Sequence, residues 1–131
     1  MSSVNNINYY LKKRFQNNAL FDVLDRDWYY NQYGQSTIDK CLDMLQNPNE
    51  CKLYFVDNLF AEHAFAFATR HNYTNICMKI LPYHTKFLLS HRNKRGMTSL
   101  MLACENKNNE LCMEILKYPL KCGLTMTKIR T

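Results

Sequence analysis

The amino-acid sequence predicts an all-α fold built from stacked helix–turn–helix units. The main evidence is a self-match between residues 63–81, HAFAFATRHNYTNICMKIL, and residues 98–116, TSLMLACENKNNELCMEIL, at an offset of 35 residues. A fixed period of about 20–50 residues is typical of repeat proteins, in which each unit buries its apolar face against the next. The 131 residues include only three glycines and three prolines, which argues against a turn-rich sandwich or barrel.

The two copies agree at their apolar positions. Five positions are identical: Ala68/Ala103, Cys77/Cys112, Met78/Met113, Ile80/Ile115 and Leu81/Leu116. Because apolar residues at helical spacing face the interior, we expect a shared core. The residues expected in it are Phe65, Phe67, Ile76, Ile80, Leu81, Leu100, Leu102, Leu111 and Ile115.

The N-terminal half predicts a more divergent first unit. Asn18–Leu24 and Ser36–Leu45 are its expected helices, and Asp25–Gln35 is the loop between them. Residues 4–16 are expected to form a capping helix. An amphipathic helix at a membrane surface, over Val4–Phe15, is the less favoured alternative. We therefore interpret residues 1–50 as a divergent N-terminal capping repeat.

The second unit follows the long connection Lys52–Glu62. Its expected helices are His63–His71 and Thr74–Leu81, and Pro82 is expected to end the second one because proline lacks a backbone donor. His63 stands where a side chain can accept from the first free N–H groups, so capping is its expected role. Residues 51–82 form this degenerate repeat.

The third unit is the clearest. Residues 98–106 and Asn109–Lys117 read as two short helices, with Thr98 as the expected N-cap of the first. Gly96 follows Asn93-Lys94-Arg95 in a turn in which glycine can take a positive φ. This repeat covers residues 83–118, and residues 119–131 are a basic tail.

The stretch from Gly96 to Cys104, GMTSLMLAC, resembles the ankyrin-repeat signature of Gly, Thr-Pro-Leu-His and Ala-Ala. Gly96, Thr98, Leu100 and Ala103 match directly, whereas Ser99, Met101 and Cys104 replace the usual Pro, His and second Ala. The resemblance implies an ankyrin-like solenoid of about three stacked repeats with a divergent first copy. Residues 1–131 would then form a single ankyrin-like repeat domain.

Charge is distributed unevenly along the chain. The formal net charge is +6, made up of −2 over residues 1–62 and +8 over residues 63–131. No acidic residue lies between Glu62 and Glu105. A local positive field of this kind should attract an acidic partner; the alternative is a solvated basic surface without a specific role.

The turn before the third unit is the best candidate for partner binding. In ankyrin-like folds, the loop tips and the inner helix faces form a concave binding surface, so the resemblance implies a role for this basic tip. The candidate partner-binding residues are His91, Arg92, Asn93, Lys94, Arg95, Met101, Glu105 and Arg70. The competing interpretation is that the tip is merely polar.

The cysteines and histidines do not form a pattern typical of chemistry. No C-x-x-C, H-E-x-x-H or paired Cys/His spacing predicts a metal site, and no phosphate loop or activated nucleophile is evident. We therefore expect no enzyme activity, cofactor or small-molecule substrate. Because no signal peptide is apparent, we expect free thiols, with Cys77, Cys104 and Cys112 buried.

Two functional hypotheses follow. The first is a small intracellular module, cytoplasmic or nuclear, that binds an acidic or helical segment of another protein through its basic tips and concave helix face. The second is a structural subunit of a larger assembly, which could contain nucleic acid, docked through the basic C-terminal half and an uncapped end after Leu116. No transmembrane segment is evident, and no membrane partner is expected.

Overall fold

The computed structural model describes residues 14–118, and over this range the protein is all-α. This part of the chain contains no strand, as the sequence predicts. Its helices are α1 (Leu20–Tyr29), α2 (Gln35–Met44), α3 (Ala64–Arg70), α4 (Thr74–Ile80), α5 (Ser99–Glu105) and α6 (Asn109–Leu116), with a 3-10 helix at Leu81–Lys86. The proposed N-terminal helix over residues 4–16, apart from its last residues, and the tail at 119–131 lie outside the described residues.

The six helices pack as three consecutive pairs. Within each pair, α1 contacts α2, α3 contacts α4, and α5 contacts α6. Between pairs, the first helices contact one another in the order α1, α3, α5, and the second helices in the order α2, α4, α6. Each pair therefore lies beside the next, and the apolar core runs through all three.

The same turn joins the two helices of every pair. Asn31, Asn72 and Lys107 each take a left-handed conformation, with φ of 55°, 61° and 57°. The following residue donates its backbone N–H to the carbonyl five positions earlier, which is a common way of closing a helix C-terminus. These bonds are Gln32 to Asp27 (2.6 Å), Tyr73 to Ala68 (2.8 Å) and Asn108 to Ala103 (3.0 Å).

The first helices of the second and third pairs begin in the same way. The Nδ1 of His63 accepts from the backbone N–H of Ala66 at 3.0 Å. The hydroxyl of Thr98 accepts from the N–H of Met101 at 3.3 Å. Both side chains satisfy an N–H group that the first helical turn leaves free, so the predicted capping roles of His63 and Thr98 are confirmed.

The core contains the apolar positions that the self-match identifies. Eight of the nine expected residues are buried, and Leu100 is partly buried against the same cluster. The buried eight are Phe65, Phe67, Ile76, Ile80, Leu81, Leu102, Leu111 and Ile115.

Helix α1 is longer than the sequence predicts. It continues to Tyr29, so the expected end at Leu24 and the expected loop over Asp25–Gln35 are wrong. The loop covers only residues 30–34. Asp25 and Asp27, which fall in the expected loop, lie on the helix instead.

Two buried aspartates explain how the helix continues. Asp25 accepts from the Nε and Nη2 of Arg14 at 2.8 and 2.7 Å. Asp27 accepts from the hydroxyl of Thr37 on α2 at 2.6 Å. Buried carboxylates are tolerated where they have such partners, and these bonds also tie α1 to its neighbours.

Pro82 has a smaller effect than expected. The α-helix α4 ends at Ile80, one residue before the predicted end at Leu81. The chain then continues as the 3-10 helix Leu81–Lys86, which has the proline in its first turn. Proline is compatible with a helix start because that position needs no donor.

The cysteine prediction is correct for one residue of three. Cys77 is fully buried, as expected, but Cys104 is exposed and Cys112 is only half-buried, so the prediction is wrong for these two. Cys77 lies on α4, which is covered by α6 of the next pair. Within residues 14–118 no further helix pair packs on α5 and α6, so the outer side of this last pair leaves Cys104 and Cys112 less covered than Cys77.

Candidate binding surface formed by two loops

Two loops lie side by side in front of the second and third helix pairs. The first loop is residues 57–62 and the second is residues 91–97. The last residues of the two loops are 35 positions apart in the sequence. The backbone N–H of Lys94 donates to the carbonyl of Phe60 at 2.9 Å. The ammonium group of Lys94 donates to the carbonyl of Asn58 at 2.7 Å. These bonds hold the two loop tips together.

A side-chain oxygen organises the first loop from within. One carboxylate oxygen of Asp57 accepts from the N–H groups of Leu59 and Phe60, at 3.1 and 3.2 Å. The other accepts from the N–H of Glu62 at 2.7 Å. Such local acceptors fix a turn because they replace bonds that helix or sheet would make.

Asn93 has the corresponding role in the second loop. Its Oδ1 accepts from the backbone N–H groups of Arg95 and Met97, at 2.9 and 3.0 Å. Its side chain is turned inward, and the residue is only 6% exposed. Its contacts support a structural role in the loop, so the structure places it beneath the candidate binding surface.

The two loops share a left-handed residue at equivalent positions. Ala61 has a φ of 57°, and Gly96, 35 residues later, has a φ of 78°. Glycine takes this conformation without steric cost, whereas alanine is strained in it. The positive φ that the sequence predicts for Gly96 is confirmed, and the first loop has a positive φ at the equivalent position without a glycine.

A buried carboxylate connects both loops to α3. Glu62 is fully buried, and the Nε of Arg70 donates to both of its oxygens at 2.9 Å. The Nδ2 of Asn93 donates to the same carboxylate at 3.0 Å. The Arg70 guanidinium also lies 4.4 Å from the ring centre of Phe60. Arg70 is thus at the predicted place, but its charge is compensated by Glu62.

The two candidate binding residues on helix α5, Met101 and Glu105, lie against the second loop. Arg95 and Glu105, both exposed, form an ion pair at 2.8 Å. The Nη1 of Arg92 donates to the carbonyl of Gly96 at 2.6 Å and lies 3.9 Å from the sulfur of Met101. The structure therefore brings Met101 and Glu105 together with the basic tip.

His91 and His63 pack beneath this surface. The Nε2 of His91 lies 2.7 Å from the carbonyl of Ala61, and its ring centre is 5.3 Å from that of His63. Burial lowers the pKa of His63 to about 4. Because its Nδ1 accepts from Ala66, its Nε2 must carry the proton, which it donates to the carbonyl of Leu88 at 2.9 Å. A neutral His63 therefore links the start of α3 to Leu88, in the segment that precedes the second loop.

Two apolar side chains complete the surface, and the sequence analysis missed both. Leu59 is 58% exposed and Phe60 is 44% exposed, at the tip of the first loop. The sequence did contain a signal for them: the 35-residue offset aligns Leu59 and Phe60 with Lys94 and Arg95 of the basic tip. We call the exposed face of the two tips, together with Met101 on α5, the two-loop surface; its residues are Leu59, Phe60, Arg92, Lys94, Arg95 and Met101.

The described part of the chain shows neither a metal-binding cluster nor a membrane-spanning helix. Over residues 14–118, no group of three or more His, Cys, Asp or Glu side chains is placed to hold a metal ion. The helices in this range are also too short or too polar to cross a bilayer. The arrangement at the two loops is suited to contact with another molecule, since it combines apolar groups with cations on a fixed backbone.

Comparison of the chain with protein-family models, with curated proteins and with solved structures found no match.

Proposed function

We propose that this chain is a short ankyrin-like repeat protein that binds another protein and catalyses no reaction. Three helix–turn–helix units, the first of them divergent, would form the stack. Three observations support this proposal. The first is the 35-residue self-match, and the second is the shared turn at Asn31, Asn72 and Lys107. The third is that the first helices of neighbouring pairs contact one another, as do the second helices. Stacked repeats characteristically leave an extended surface free for binding.

The observation that carries the binding proposal is the two-loop surface. Leu59 and Phe60 are exposed beside three cations, on loops joined by the two hydrogen bonds of Lys94. Exposed apolar side chains next to Arg and Lys offer a partner both contact area and charge. The partner segment that fits is one in which carboxylates flank an apolar residue.

The rigidity of the loops favours binding. Asp57 and Asn93 already accept from backbone N–H groups of their own loops, and the buried Glu62 holds the Asn93 side chain, so both tips are fixed. A surface that is ordered before binding loses less conformational entropy when the partner arrives. The exposed cations should mainly raise the rate of association with an acidic segment, and the apolar contact should slow its dissociation.

A pair of charge-matched variants tests the proposal. In the first, Arg92, Lys94 and Arg95 are all replaced by Glu. In the control, the exposed Lys40, Lys79 and Lys86, which lie outside the two loops, are replaced by Glu, so that the net charge changes equally. Each protein is used to capture partners from a native extract, and the captured protein is then purified and its affinity measured.

The proposal requires a partner that the wild type and the control bind and that the loop variant binds at least about tenfold more weakly, which is 1.4 kcal/mol. A third variant, L59A/F60A, should lose affinity without any change of charge. Equal losses of affinity in the loop variant and the control would indicate that net charge alone attracts the partner, and they would contradict a specific binding surface. Circular dichroism confirms that each variant remains helical.

A second function is favoured by a different observation. Met113 and Leu116 on α6 are 63% and 55% exposed, on the helix pair that no later pair covers within residues 14–118. Neighbouring apolar side chains of this kind are typical of interfaces. As the alternative, we propose a structural subunit that docks through α6 and the basic C-terminal half. Light scattering tests self-association, and steep salt dependence of RNA or DNA binding would favour a nucleic-acid assembly.

A further inference from the structure

Two cysteines on the last helix pair lie close enough to react with one another. The sulfur atoms of Cys104 on α5 and Cys112 on α6 are 3.4 Å apart. A disulfide has a sulfur separation of about 2.05 Å, so the two atoms need to approach by roughly 1.4 Å. Both residues lie on short helices joined by the turn at residues 106–108, so rotation of the side chains and a small shift of the helices can supply this movement.

The other described cysteines are in a different environment. Cys41, Cys51 and Cys77 are all buried, and burial raises the pKa of Cys41 and of Cys77 to about 12. A thiol must be reached by an oxidant and deprotonated before it reacts. Cys104 is exposed and Cys112 is half-buried, so accessibility selects this pair from the five thiols of residues 14–118.

We propose that Cys104 and Cys112 form a reversible oxidation site that closes to an intramolecular disulfide when the protein meets a hydroperoxide. The thiolate of the exposed Cys104 attacks the peroxide, the O–O bond breaks, and a sulfenic acid forms with release of water or an alcohol. The sulfur of Cys112 then attacks the sulfenic sulfur of Cys104 and displaces water. In total two thiols lose two protons and two electrons, and the peroxide is reduced.

The order of events follows from the positions of the two sulfurs. Cys104 is the more exposed of the two and meets the oxidant first. Cys112 is less exposed, and its sulfur already lies 3.4 Å from that of Cys104, so it is placed to attack the sulfenic sulfur in the second step. A small-molecule dithiol reverses the reaction by thiol–disulfide exchange.

Trypsin provides a direct test, because Lys107 lies between the two cysteines. Cleavage after Arg95, Lys107 and Lys117 places Cys104 in peptide 96–107 and Cys112 in peptide 108–117. The full-length native protein is treated with hydrogen peroxide, remaining thiols are blocked, and the digest is analysed by mass spectrometry. The expected product is a species of the two peptides joined, about 2 Da lighter than their sum, that separates after reduction.

Two variants distinguish the proposed pair from other products. In C112S, Cys104 should accumulate as a sulfenic acid that dimedone traps, and the linked peptides should disappear. In C122S, which removes the cysteine of the tail, the linked peptides should form as in the wild type. Labelling of the untreated protein with a thiol reagent should modify Cys104 at least about tenfold faster than Cys77.

Two results would overturn the proposal. One is linkage of peptide 96–107 to the peptide containing Cys122, or to a second copy of the chain, in place of peptide 108–117. The other is further oxidation of Cys104 to a sulfinic acid in the wild type while Cys112 remains a free thiol. Circular dichroism before and after treatment checks that the helices are intact, so that a linked product cannot be ascribed to unfolding.

Discussion

The side-chain amide of Asn93 donates to the buried carboxylate of Glu62 at 3.0 Å, across 31 residues of chain. This bond joins the second loop to the first, and Arg70 closes the group by donating to both oxygens of Glu62. A buried charge is stable only when its partners are in place. The two-loop surface therefore depends on a buried carboxylate that lies beneath it.

Replacement of Glu62 by Ala should strongly destabilise the protein. The change leaves the Arg70 guanidinium and the Asn93 amide without their acceptor, and loss of one partner of a buried ion pair typically costs about 3–5 kcal/mol. The free energy of unfolding is measured by urea titration. E105A is the matched control, since it removes the acidic partner of the exposed Arg95 and should cost no more than about 1 kcal/mol. Similar losses in both variants would refute a special role for Glu62.

The loop turns predict opposite effects for two simple substitutions. A61G should stabilise the protein by up to about 1 kcal/mol, because glycine accepts the φ of 57° without strain. G96A should destabilise it by about 1 kcal/mol. The cost should come from backbone strain alone, because an added Cβ meets no atom within 4 Å. Thermal or urea unfolding measures both. Destabilisation by A61G would mean that the left-handed turn at residue 61 is not present.

Stability should fall as the pH is lowered from about 6.5 to about 4. The folded protein keeps His63 neutral, with its pKa lowered to about 4 by burial, while the unfolded chain binds a proton near its ordinary pKa of about 6.5. The unfolded state therefore takes up more protons in this window. The loss from this residue is on the order of 3 kcal/mol at most.

The variant H63N isolates that contribution. Asparagine can cap α3 but does not titrate, so the protein should be less stable at neutral pH and should lose less stability on acidification than the wild type. His71, whose pKa is also lowered to about 4 by burial, remains in both proteins and cancels from the comparison. Identical pH profiles for wild type and variant would show that His63 is not the group responsible.

Local pattern was sufficient to predict most of the helices. The bounds expected for the second and third pairs agree with α3 to α6 within one or two residues, because apolar spacing and capping side chains act over short distances. Helix α1 was predicted too short for a reason that is not local. Asp25 and Asp27 are buried in the part of the helix that was not predicted, and their hydrogen-bond partners, Arg14 and Thr37, lie outside the helix.

The candidate surface was predicted only in part, again because some of the contacts that form it are not local in the sequence. The basic tip stands out in the sequence because three cations occur without an acid, and its position next to Met101 and Glu105 agrees with the structure. Charge alone could not reveal that Asn93 turns inward or that Glu62, from a distant segment, compensates Arg70. The exposure of Leu59 and Phe60 likewise depends on the turn that Asp57 organises.

Hydrogen–deuterium exchange of the chain, alone and bound to the captured partner, tests the central claim most directly. The account predicts that the partner slows exchange in peptides covering residues 57–62 and 92–105, with little change over Thr74–Lys86. The variant with Arg92, Lys94 and Arg95 replaced by Glu should lose this protection. Protection confined to Thr74–Lys86, or to α2 and its connections, would contradict binding through the two-loop surface.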